Sequence, residues 1–249
     1  MKALITGASS GLGEAMAKIL VNEGYEVILV ARRKTKLEKI TKELGEKATY
    51  IVSDISSTYN CTELYNKVKK EDIDILINNA GFGLCDEFNK TKLDKELDMI
   101  DLNIKGLHTL TKLFLSDFKK KDKGYILNIS SSAAFMPGPL MATYYASKSY
   151  VLNLSLAIYE ELRRENSNVS ISVLCPGPVD TEFNKVAKVN FNIKPLDKNI
   201  VAKYAIKNMF NEKLIIIPSL KMKLAVSLSK FIPRKSLLKI VYNIQDKKR

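Results

Sequence analysis

A tyrosine and a lysine four positions apart, Tyr144 and Lys148, are the side chains of this sequence best suited to moving a proton. On a helix, positions i and i+4 lie on one face about a turn apart, so the ammonium can stand beside the phenol. A free phenol, with a pKa of about 10, stays protonated at neutral pH, and a fixed neighbouring cation lowers that pKa. The pair therefore predicts a general acid and base that exchanges a proton with an alcohol or a carbonyl.

A glycine-rich turn lies near the N-terminus, between a predicted strand and a predicted helix. The apolar run 3–5 leads directly into Thr6-Gly7-Ala8-Ser9-Ser10-Gly11-Leu12-Gly13, and apolar residues then recur at helical spacing. This strand–turn–helix geometry presents backbone N–H groups and the positive end of a helix dipole to a pyrophosphate. An ordinary tight turn is the alternative interpretation, but the position in the first strand–helix crossover favours phosphate binding.

Five further motifs follow in order along the chain. They are Asp54 after an apolar strand, NNAG (Asn78 to Gly81), Asn103 in DLNIKG, NISSS (Asn128 to Ser132) and PGPVDT (Pro176 to Thr181). Together with the glycine-rich turn and YYASK, they make the chain resemble the short-chain dehydrogenase/reductase family from Lys2 to about Pro218. The resemblance implies a nicotinamide-dependent oxidoreductase.

Strand and helix patterns alternate along the chain. Short runs rich in Val, Ile and Leu predict strands at residues 3–6, 26–31, 49–52, 73–77, 124–129, 169–174 and 214–217. Helical patterns fill the intervals, notably at residues 13–22, 35–44, 58–70, 93–119, 144–166 and 197–211. We expect an α/β fold: a single-domain, doubly wound (Rossmann-type) parallel sheet of about seven strands with helices on both faces. The dinucleotide-binding and catalytic domain would span residues 1–218, and a basic C-terminal extension would span residues 219–249.

The second predicted strand ends in Ala31-Arg32-Arg33, which bears on the choice of cofactor. NAD-preferring members of the family usually carry an acidic residue near Ala31, where it binds the ribose hydroxyls. Here an alanine removes that charge, and a guanidinium can bind a 2′-phosphate through charge-assisted hydrogen bonds. We therefore expect NADP(H). Two solvated arginines at a strand end are the alternative interpretation.

The resemblance assigns the other cofactor contacts residue by residue. It places Asp54 near the adenine, the NNAG turn beside the adenosine, and Thr181 at the nicotinamide carboxamide. The expected cofactor-binding residues are Thr6, Gly7, Ser9, Ser10, Gly11, Leu12, Gly13, Arg32, Arg33, Asp54, Ile55, Asn79, Ala80, Gly81, Tyr144, Lys148, Pro176, Gly177, Val179 and Thr181.

The resemblance also implies a catalytic group of four residues, namely Asn103, Ser131, Tyr144 and Lys148. Ser131 would stabilise charge on the substrate oxygen, and Asn103 would hold a water in a proton relay. Lys148 would lower the pKa of Tyr144 and bind the nicotinamide ribose. The expected reaction is hydride transfer between NADP(H) and a carbonyl or secondary alcohol, with the cofactor carrying the hydride. The alternative is an NADP-binding regulatory or scaffolding protein with little or no turnover, which would not need these four residues.

Three segments are expected to contact the substrate: residues 83–90, 133–143 and 180–196. The last is apolar on one side, with Phe183, Val186, Ala187, Val189, Phe191 and Ile193. It predicts either a mobile lid over an apolar substrate or a helix whose apolar face packs on the domain.

The C-terminal extension is strongly basic. The whole chain has a net charge of +13, and residues 219–249 contain nine Lys or Arg against the single acid Asp246. Within residues 235–247, Leu237, Ile240, Val241 and Ile244 recur at helical spacing. Such a helix can lie on an anionic membrane, or it can pack on its own domain or a dimer partner. Nucleic acid is not expected, because no stacking aromatic residues are interleaved with the basic ones.

Composition limits the kinds of catalytic site and the cellular locations that the protein can have. The single histidine, His108, argues against histidine-based catalysis, and we expect no metal site. Cys61, Cys85 and Cys175 are widely spaced and odd in number, which is typical of buried thiols in a reducing compartment. We expect neither a transmembrane helix nor a signal peptide, and hence a cytoplasmic protein that is peripheral to the membrane only if the tail binds lipid. The family resemblance implies a homodimer or homotetramer.

Overall fold

A seven-stranded parallel sheet organises the chain, as predicted. The computed structural model describes residues 1–187 and 194–247. The strand order is β3-β2-β1-β4-β5-β6-β7, so the chain reverses direction across the sheet after β3 and continues beside β1. Ligands of such sheets bind at this switch point, beyond the carboxyl ends of the strands.

The strand bounds agree with the predicted ones to within two residues. They are β1 Lys2–Thr6, β2 Glu26–Ala31, β3 Ala48–Val52, β4 Ile75–Asn78, β5 Gly124–Ile129, β6 Val169–Leu174 and β7 Ile215–Ile216. The seventh strand has only two residues, because it pairs with β6 at just Val173 and Leu174.

Helices cover both faces of the sheet. They are α1 Gly11–Asn22, α2 Lys34–Leu44, α3 Thr58–Val68, α4 Leu93–Ile100, α5 Leu107–Lys121, α6 Ala142–Arg164, α7 Phe183–Val186, α8 Lys198–Phe210, α9 Leu220–Ser229 and α10 Arg234–Asp246. The single helix predicted over residues 93–119 is interrupted by a π-helical turn at Asp101–Gly106. Close approach of another segment accompanies the interruption, since a Cβ on Gly106 would lie 2.2 Å from the carbonyl oxygen of Ile55.

Alternate side chains of the strands feed two separate hydrophobic layers. In β1, Ala3 and Ile5 join the cluster that α1 and α8 cover, whereas Leu4 joins the cluster on the opposite face. All three side chains are fully buried. A strand buried on both faces needs a continuous apolar run, which is the pattern that predicted these strands.

Buried polar side chains join the centre of the sheet to its covering helices. Asn78 on β4 donates hydrogen bonds to Thr111 on α5 (3.0 Å) and to Asn128 on β5 (2.9 Å). Asn128 in turn donates to Ser155 on α6 at 3.0 Å. These bonds hold the two strands and the two helices that carry the site in a defined relation.

The basic extension folds into α9 and α10, and α10 packs on protein through part of its apolar face. Leu237 and Val241 are 8% and 4% exposed, so they cannot insert into a membrane as the amphipathic pattern suggested. Ile240 and Ile244 lie on the flank of the same helix and remain about half exposed. Within the described residues, no helix is both long enough and apolar enough to span a bilayer.

Candidate active site

The glycine-rich turn connects β1 to α1 at the carboxyl edge of the sheet. Gly7 and Gly11 both have φ of +63°, a left-handed conformation that favours glycine. Gly7 also has no space for a side chain, because a Cβ there would lie 2.7 Å from the Cα of Ala80. The turn thus exposes its backbone at the N-terminus of α1, where anions bind.

Two predicted cofactor residues, Thr6 and Gly13, support this turn from behind. The Thr6 hydroxyl accepts hydrogen bonds from the N–H groups of Asn79 (3.0 Å) and Ala80 (3.1 Å). The Asn79 side chain donates to the carbonyls of Thr6 and Gly7, and a Cβ on Gly13 would lie 2.6 Å from its Nδ2. The NNAG segment therefore locks β4 to the glycine-rich turn.

A cavity of about 810 Å³ extends from this turn across the ends of the strands. The predicted site residues that line it are Gly7, Ser9, Ser10, Gly11, Leu12, Arg32, Arg33, Asp54, Ile55, Asn79, Ala80, Gly81, Ser131, Tyr144, Lys148, Pro176, Gly177, Val179 and Thr181. Thr6, Gly13 and Asn103 are the described members of the predicted set that lie behind its wall.

Arg33 crosses from the end of β2 to the glycine-rich turn. Its guanidinium donates to the hydroxyls of Ser9 (2.8 Å, from Nη2) and Ser10 (2.8 Å). Glu182 binds the same guanidinium at 2.6 Å and also pairs with Lys36. These hydrogen bonds from Lys36 and Arg33 lower the pKa of Glu182 to about 2. The result is a cationic corner closed by a carboxylate from the segment after β6.

Arg32 points to the other side of the cavity, towards Asp54. The distance between its Nη1 and the Asp54 carboxylate is 3.5 Å. Partial burial raises the pKa of Asp54, but hydrogen bonds from Ser56 and the charge of Arg32 outweigh burial and leave that pKa below its ordinary value. Asp54 is therefore an anion at neutral pH, beside the position expected for the adenine.

Tyr144, near the start of α6, lies against Ser131, which follows β5. Burial raises the pKa of Tyr144 to about 12, and a hydrogen bond with the Ser131 side chain partly opposes that shift. Ser131 also accepts a hydrogen bond from the N–H of Ala133 at 3.1 Å, which orients its hydroxyl. At neutral pH the phenol is fully protonated and can donate its proton.

Lys148 lies one turn further along α6, on the same face. Its Nζ donates to the carbonyl of Ile129 at 3.0 Å and stands 5.8 Å from the centre of the Tyr144 ring. Burial lowers the pKa of Lys148 to about 8. The spacing of the pair predicted that this cation lowers the pKa of Tyr144, but in this geometry burial dominates both groups and raises the pKa of the phenol.

Asn103 lies in the π-helical turn and is 1% exposed. Its amide accepts from the N–H of Phe82 (3.1 Å) and donates to the Phe82 carbonyl (2.9 Å) and to Ser147 (3.1 Å). A Cβ on Gly81 would lie 2.9 Å from its Oδ1 and 3.3 Å from the Nζ of Lys148. Asn103 thus braces the backbone beside Lys148 instead of facing the cavity.

The part of the cavity next to Tyr144 is apolar. Phe183, in the expected lid segment, packs on the Tyr144 ring with 5.3 Å between ring centres. Met141 and Ala133 line the cavity from the second expected segment. Residues 83–90 do not line it, and Leu84 and Cys85 instead pack behind Tyr144. Residues 188–193, which include Val189, Phe191 and Ile193, lie outside the described residues.

Gln245, near the end of α10, is one of several lining residues that the sequence did not predict; Ser53, Phe82 and Lys95 are others. The Gln245 side chain is 1% exposed, and its amide donates a hydrogen bond to the hydroxyl of Tyr145. Tyr145 is itself held by tight packing, since a Cβ on Gly138 would lie 2.2 Å from its ring. The one available signal was the placement of Gln245 at i+4 and i+8 from the apolar Val241 and Leu237.

Comparisons with known proteins agree with this geometry. The model of the short chain dehydrogenase family matches residues 1–190. An uncharacterized oxidoreductase of Staphylococcus epidermidis is 33% identical over 185 residues, covering 74% of this chain and 80% of that protein. The human very-long-chain 3-oxoacyl-CoA reductase is 33% identical over 217 residues, covering 83% of this chain and 68% of that protein.

A solved structure shares the fold closely. A short-chain dehydrogenase from Sphingobium yanoikuyae, in complex with NADPH, has a TM-score of 0.82 and 27% identity, covering 88% of each chain. The family match, the relatives and this structural likeness together support the parallel α/β fold. The chain therefore belongs to the short-chain dehydrogenase family.

Proposed function

We propose that this protein is an NADP(H)-dependent oxidoreductase that interconverts a carbonyl and a secondary alcohol on an apolar substrate. One observation carries the proposal: Ser131, Tyr144 and Lys148 line the same cavity as the glycine-rich turn. A proton donor and an anion-binding turn within one cavity are what a nicotinamide-dependent reduction requires.

The donors around the cavity fit a dinucleotide. The turn offers backbone N–H groups at the N-terminus of α1, and no Cβ obstructs the approach at Gly7 or Gly11. Near the end of β2, Arg33, Lys36 and the hydroxyls of Ser9 and Ser10 form a set that suits a 2′-phosphate. Ala31 adds no competing charge, which supports NADP(H) over NAD(H).

In the reducing direction, Tyr144 acts as the general acid. Its pKa of about 12 keeps the phenol neutral at physiological pH, and only the neutral form can give a proton to the substrate oxygen. The Ser131 hydroxyl, which contacts Tyr144, hydrogen-bonds the same oxygen as negative charge develops there. A bound nicotinamide supplies the hydride to the carbonyl carbon.

Lys148 stabilises the phenolate that Tyr144 becomes after it gives up its proton. With a pKa of about 8, most of this lysine still carries a positive charge at neutral pH. Its Nζ is held 5.8 Å from the phenol ring by the carbonyl of Ile129, and Asn103 supports the backbone next to it. Asn103 is therefore a positioning residue in this proposal.

Self-association through α4 and α6 belongs to the same proposal. Leu93 and Leu97 occupy one face of α4 and are 72% and 49% exposed, and Tyr150 on α6 is 37% exposed. These side chains support a homodimer or homotetramer. A cytoplasmic location belongs to the same proposal and is supported by Cys61 and Cys175, two buried cysteines that form no disulfide, as is typical of a reducing compartment.

The test is reduction of a panel of apolar ketones with NADPH, followed by the near-ultraviolet absorbance of the cofactor. We expect turnover with NADPH and at least about tenfold lower kcat/KM with NADH, the size of effect that loss of one charge-assisted contact produces. Equal rates with the two cofactors would contradict the NADP(H) assignment. Tight NADPH binding with no turnover on any ketone or alcohol would favour the regulatory or scaffolding alternative.

A further inference from the structure

One face of α9 presents large apolar side chains to solvent. Leu220, Leu224, Leu228 and Phe231 are 80%, 61%, 54% and 85% exposed. The three leucines are spaced i, i+4 and i+8, which places them along one side of α9. Phe231 follows in the turn after the helix, which ends at Ser229. We call these four residues the α9 stripe. Scattered exposed leucines are ordinary on soluble proteins, but three leucines aligned on one helix with an exposed phenylalanine just beyond it are not.

The opposite face of α9 packs on the domain, so the helix is already attached to the protein through residues other than the stripe. Val226 and Ser229 are 4% and 7% exposed. Met222 lies over Gly177 in the cavity wall, where a Cβ would meet its methyl carbon at 2.8 Å. The helix start is also capped, since Ser219 accepts a hydrogen bond from the N–H of Met222. A folded, anchored helix therefore displays the stripe.

The segment that carries the stripe is rich in basic residues. From Ser219 to Gln245 the chain has six Lys or Arg and no Asp or Glu. The six are Lys221, Lys223, Lys230, Arg234, Lys235 and Lys239. All except Lys223 are exposed residues. This segment therefore combines an apolar ridge with a uniformly cationic border.

We propose that the α9 stripe docks on an anionic lipid bilayer, with the leucines and Phe231 inserted among the acyl chains and the lysines at the headgroups. Apolar insertion together with headgroup attraction is the composition that holds helices in a membrane interface. A second copy of the chain fits less well, because a twofold contact through the stripe would bring two cationic borders together.

Vesicle co-sedimentation tests this docking. We expect the wild-type protein to bind vesicles of phosphatidylcholine mixed with phosphatidylserine, and to bind pure phosphatidylcholine at least about tenfold less well. Leu224→Glu combined with Leu228→Glu should weaken binding to the mixed vesicles by more than about tenfold, since a charge replaces each inserted side chain. Tyr59→Glu, at a 71% exposed position on α3, is the matched control and should bind like the wild type.

A second pair of substitutions measures how much the lysine charges contribute to vesicle binding, separately from the apolar side chains. Lys221→Gln with Lys230→Gln should weaken binding roughly 30-fold at low ionic strength, with a smaller effect at high salt. These two exposed lysines lie outside the proposed catalytic and cofactor sites, so NADPH-dependent reduction of a soluble ketone should stay unchanged. That activity also reports folding, and it keeps a failure of membrane docking distinct from a failure of the proposed function.

Three outcomes would overturn the proposal. The first is that the wild-type protein does not bind phosphatidylserine vesicles at low salt. The second is that the wild-type protein and both double variants bind these vesicles equally well. The third is an oligomer, seen by light scattering, that ignores vesicles and dissociates when Leu224 and Leu228 are changed. That result would make the stripe an interface between copies of this chain.

Discussion

Burial acts on Tyr144 and Lys148 in opposite directions, and the two shifts together define the proton chemistry of the site. Removal from water disfavours the charged form of each group, so the pKa of Tyr144 rises to about 12 and that of Lys148 falls to about 8. Both side chains are therefore mainly protonated at neutral pH. This state suits reduction of a carbonyl, which needs a proton donor with a cation behind it.

Replacement of Tyr144 by Phe removes the proton donor and little else. We expect kcat to fall roughly 10²- to 10⁴-fold, the usual contribution of a general acid. NADPH affinity, measured by fluorescence titration, should stay within a few fold of the wild-type value. Tyr145→Phe is the control for kcat and should keep the wild-type value, because its hydroxyl hydrogen-bonds Gln245 and is not the proposed proton donor. A Tyr144→Phe variant that keeps more than about a tenth of the wild-type kcat would exclude Tyr144 as the general acid.

Replacement of Lys148 by Met should abolish ketone reduction. It should also show how much burial of the Lys148 charge lowers the free energy of unfolding. Between pH 8 and pH 10.5 the unfolded chain binds the Lys148 proton more tightly than the folded protein does, so wild-type stability rises with pH in that window. The test is denaturant unfolding of both proteins at several pH values. The difference in the free energy of unfolding, wild type minus Lys148→Met, should increase by up to about 3 kcal/mol across the window. A difference that is flat or falls with pH would show that the pKa is not lowered.

At the scale of elements, the end of β2 and the segment after β6 meet through Arg33 and Glu182. Their ion pair spans 149 positions of sequence and closes the cationic corner beside Ser9 and Ser10. A 2′-phosphate placed there would compete with the Glu182 carboxylate for the same guanidinium. Binding of such a phosphate would therefore be coupled to the position of α7 through Arg33.

Glu182→Gln should consequently tighten NADPH binding. Removal of the competing carboxylate frees Arg33 and Lys36, and a half-exposed ion pair of this kind corresponds to a gain of up to about fivefold in Kd. NADH lacks the 2′-phosphate and provides the internal control, since its Kd should not improve. Isothermal titration calorimetry of the wild-type protein and of Glu182→Gln, each with NADPH and with NADH, measures these Kd values. Weaker NADPH binding by Glu182→Gln would mean that the carboxylate supports the cofactor instead of competing with it.

At the scale of the whole molecule, the C-terminal helix returns to the candidate active site. Gln245 reaches Tyr145, 100 positions earlier, while Leu237 and Val241 fasten α10 to the protein. The tail therefore forms part of the cavity wall, and a truncation after Pro218 would open the site as well as remove charge.

Gln245→Ala should change substrate choice without changing cofactor binding. The lost hydrogen bond and the added space would alter KM for small ketones by roughly three- to tenfold and admit bulkier ones. Asn243→Ala, on the exposed side of the same helix, is the control and should leave every constant unchanged. Equal KM values for Gln245→Ala and wild type across a graded series of ketones would show that α10 does not bound the substrate.

Short-range patterns were enough to predict the architecture. The apolar runs, the glycine-rich turn and the helical spacing of Tyr144 and Lys148 all depend on residues within a few positions of one another. They correctly predicted the seven-stranded sheet. The family and the expected cofactor residues came instead from the resemblance that the ordered motifs carry, and most of those residues line one cavity. The short-range patterns also favoured one unbroken helix where the contact between Gly106 and Ile55 introduces a π-helical turn.

The amino-acid sequence by itself predicted that the motifs after the strands meet at one edge of the sheet, because the carboxyl ends of parallel strands all lie at that edge. Only the tertiary structure decided the direction of the Tyr144 pKa shift, the contact of Arg33 with Ser9 and Ser10, and the entry of Gln245 into the cavity. Each of these depends on desolvation or on contacts between distant segments. Such effects depend on the residues that pack around a side chain in space, and these cannot be read from its neighbours in the sequence.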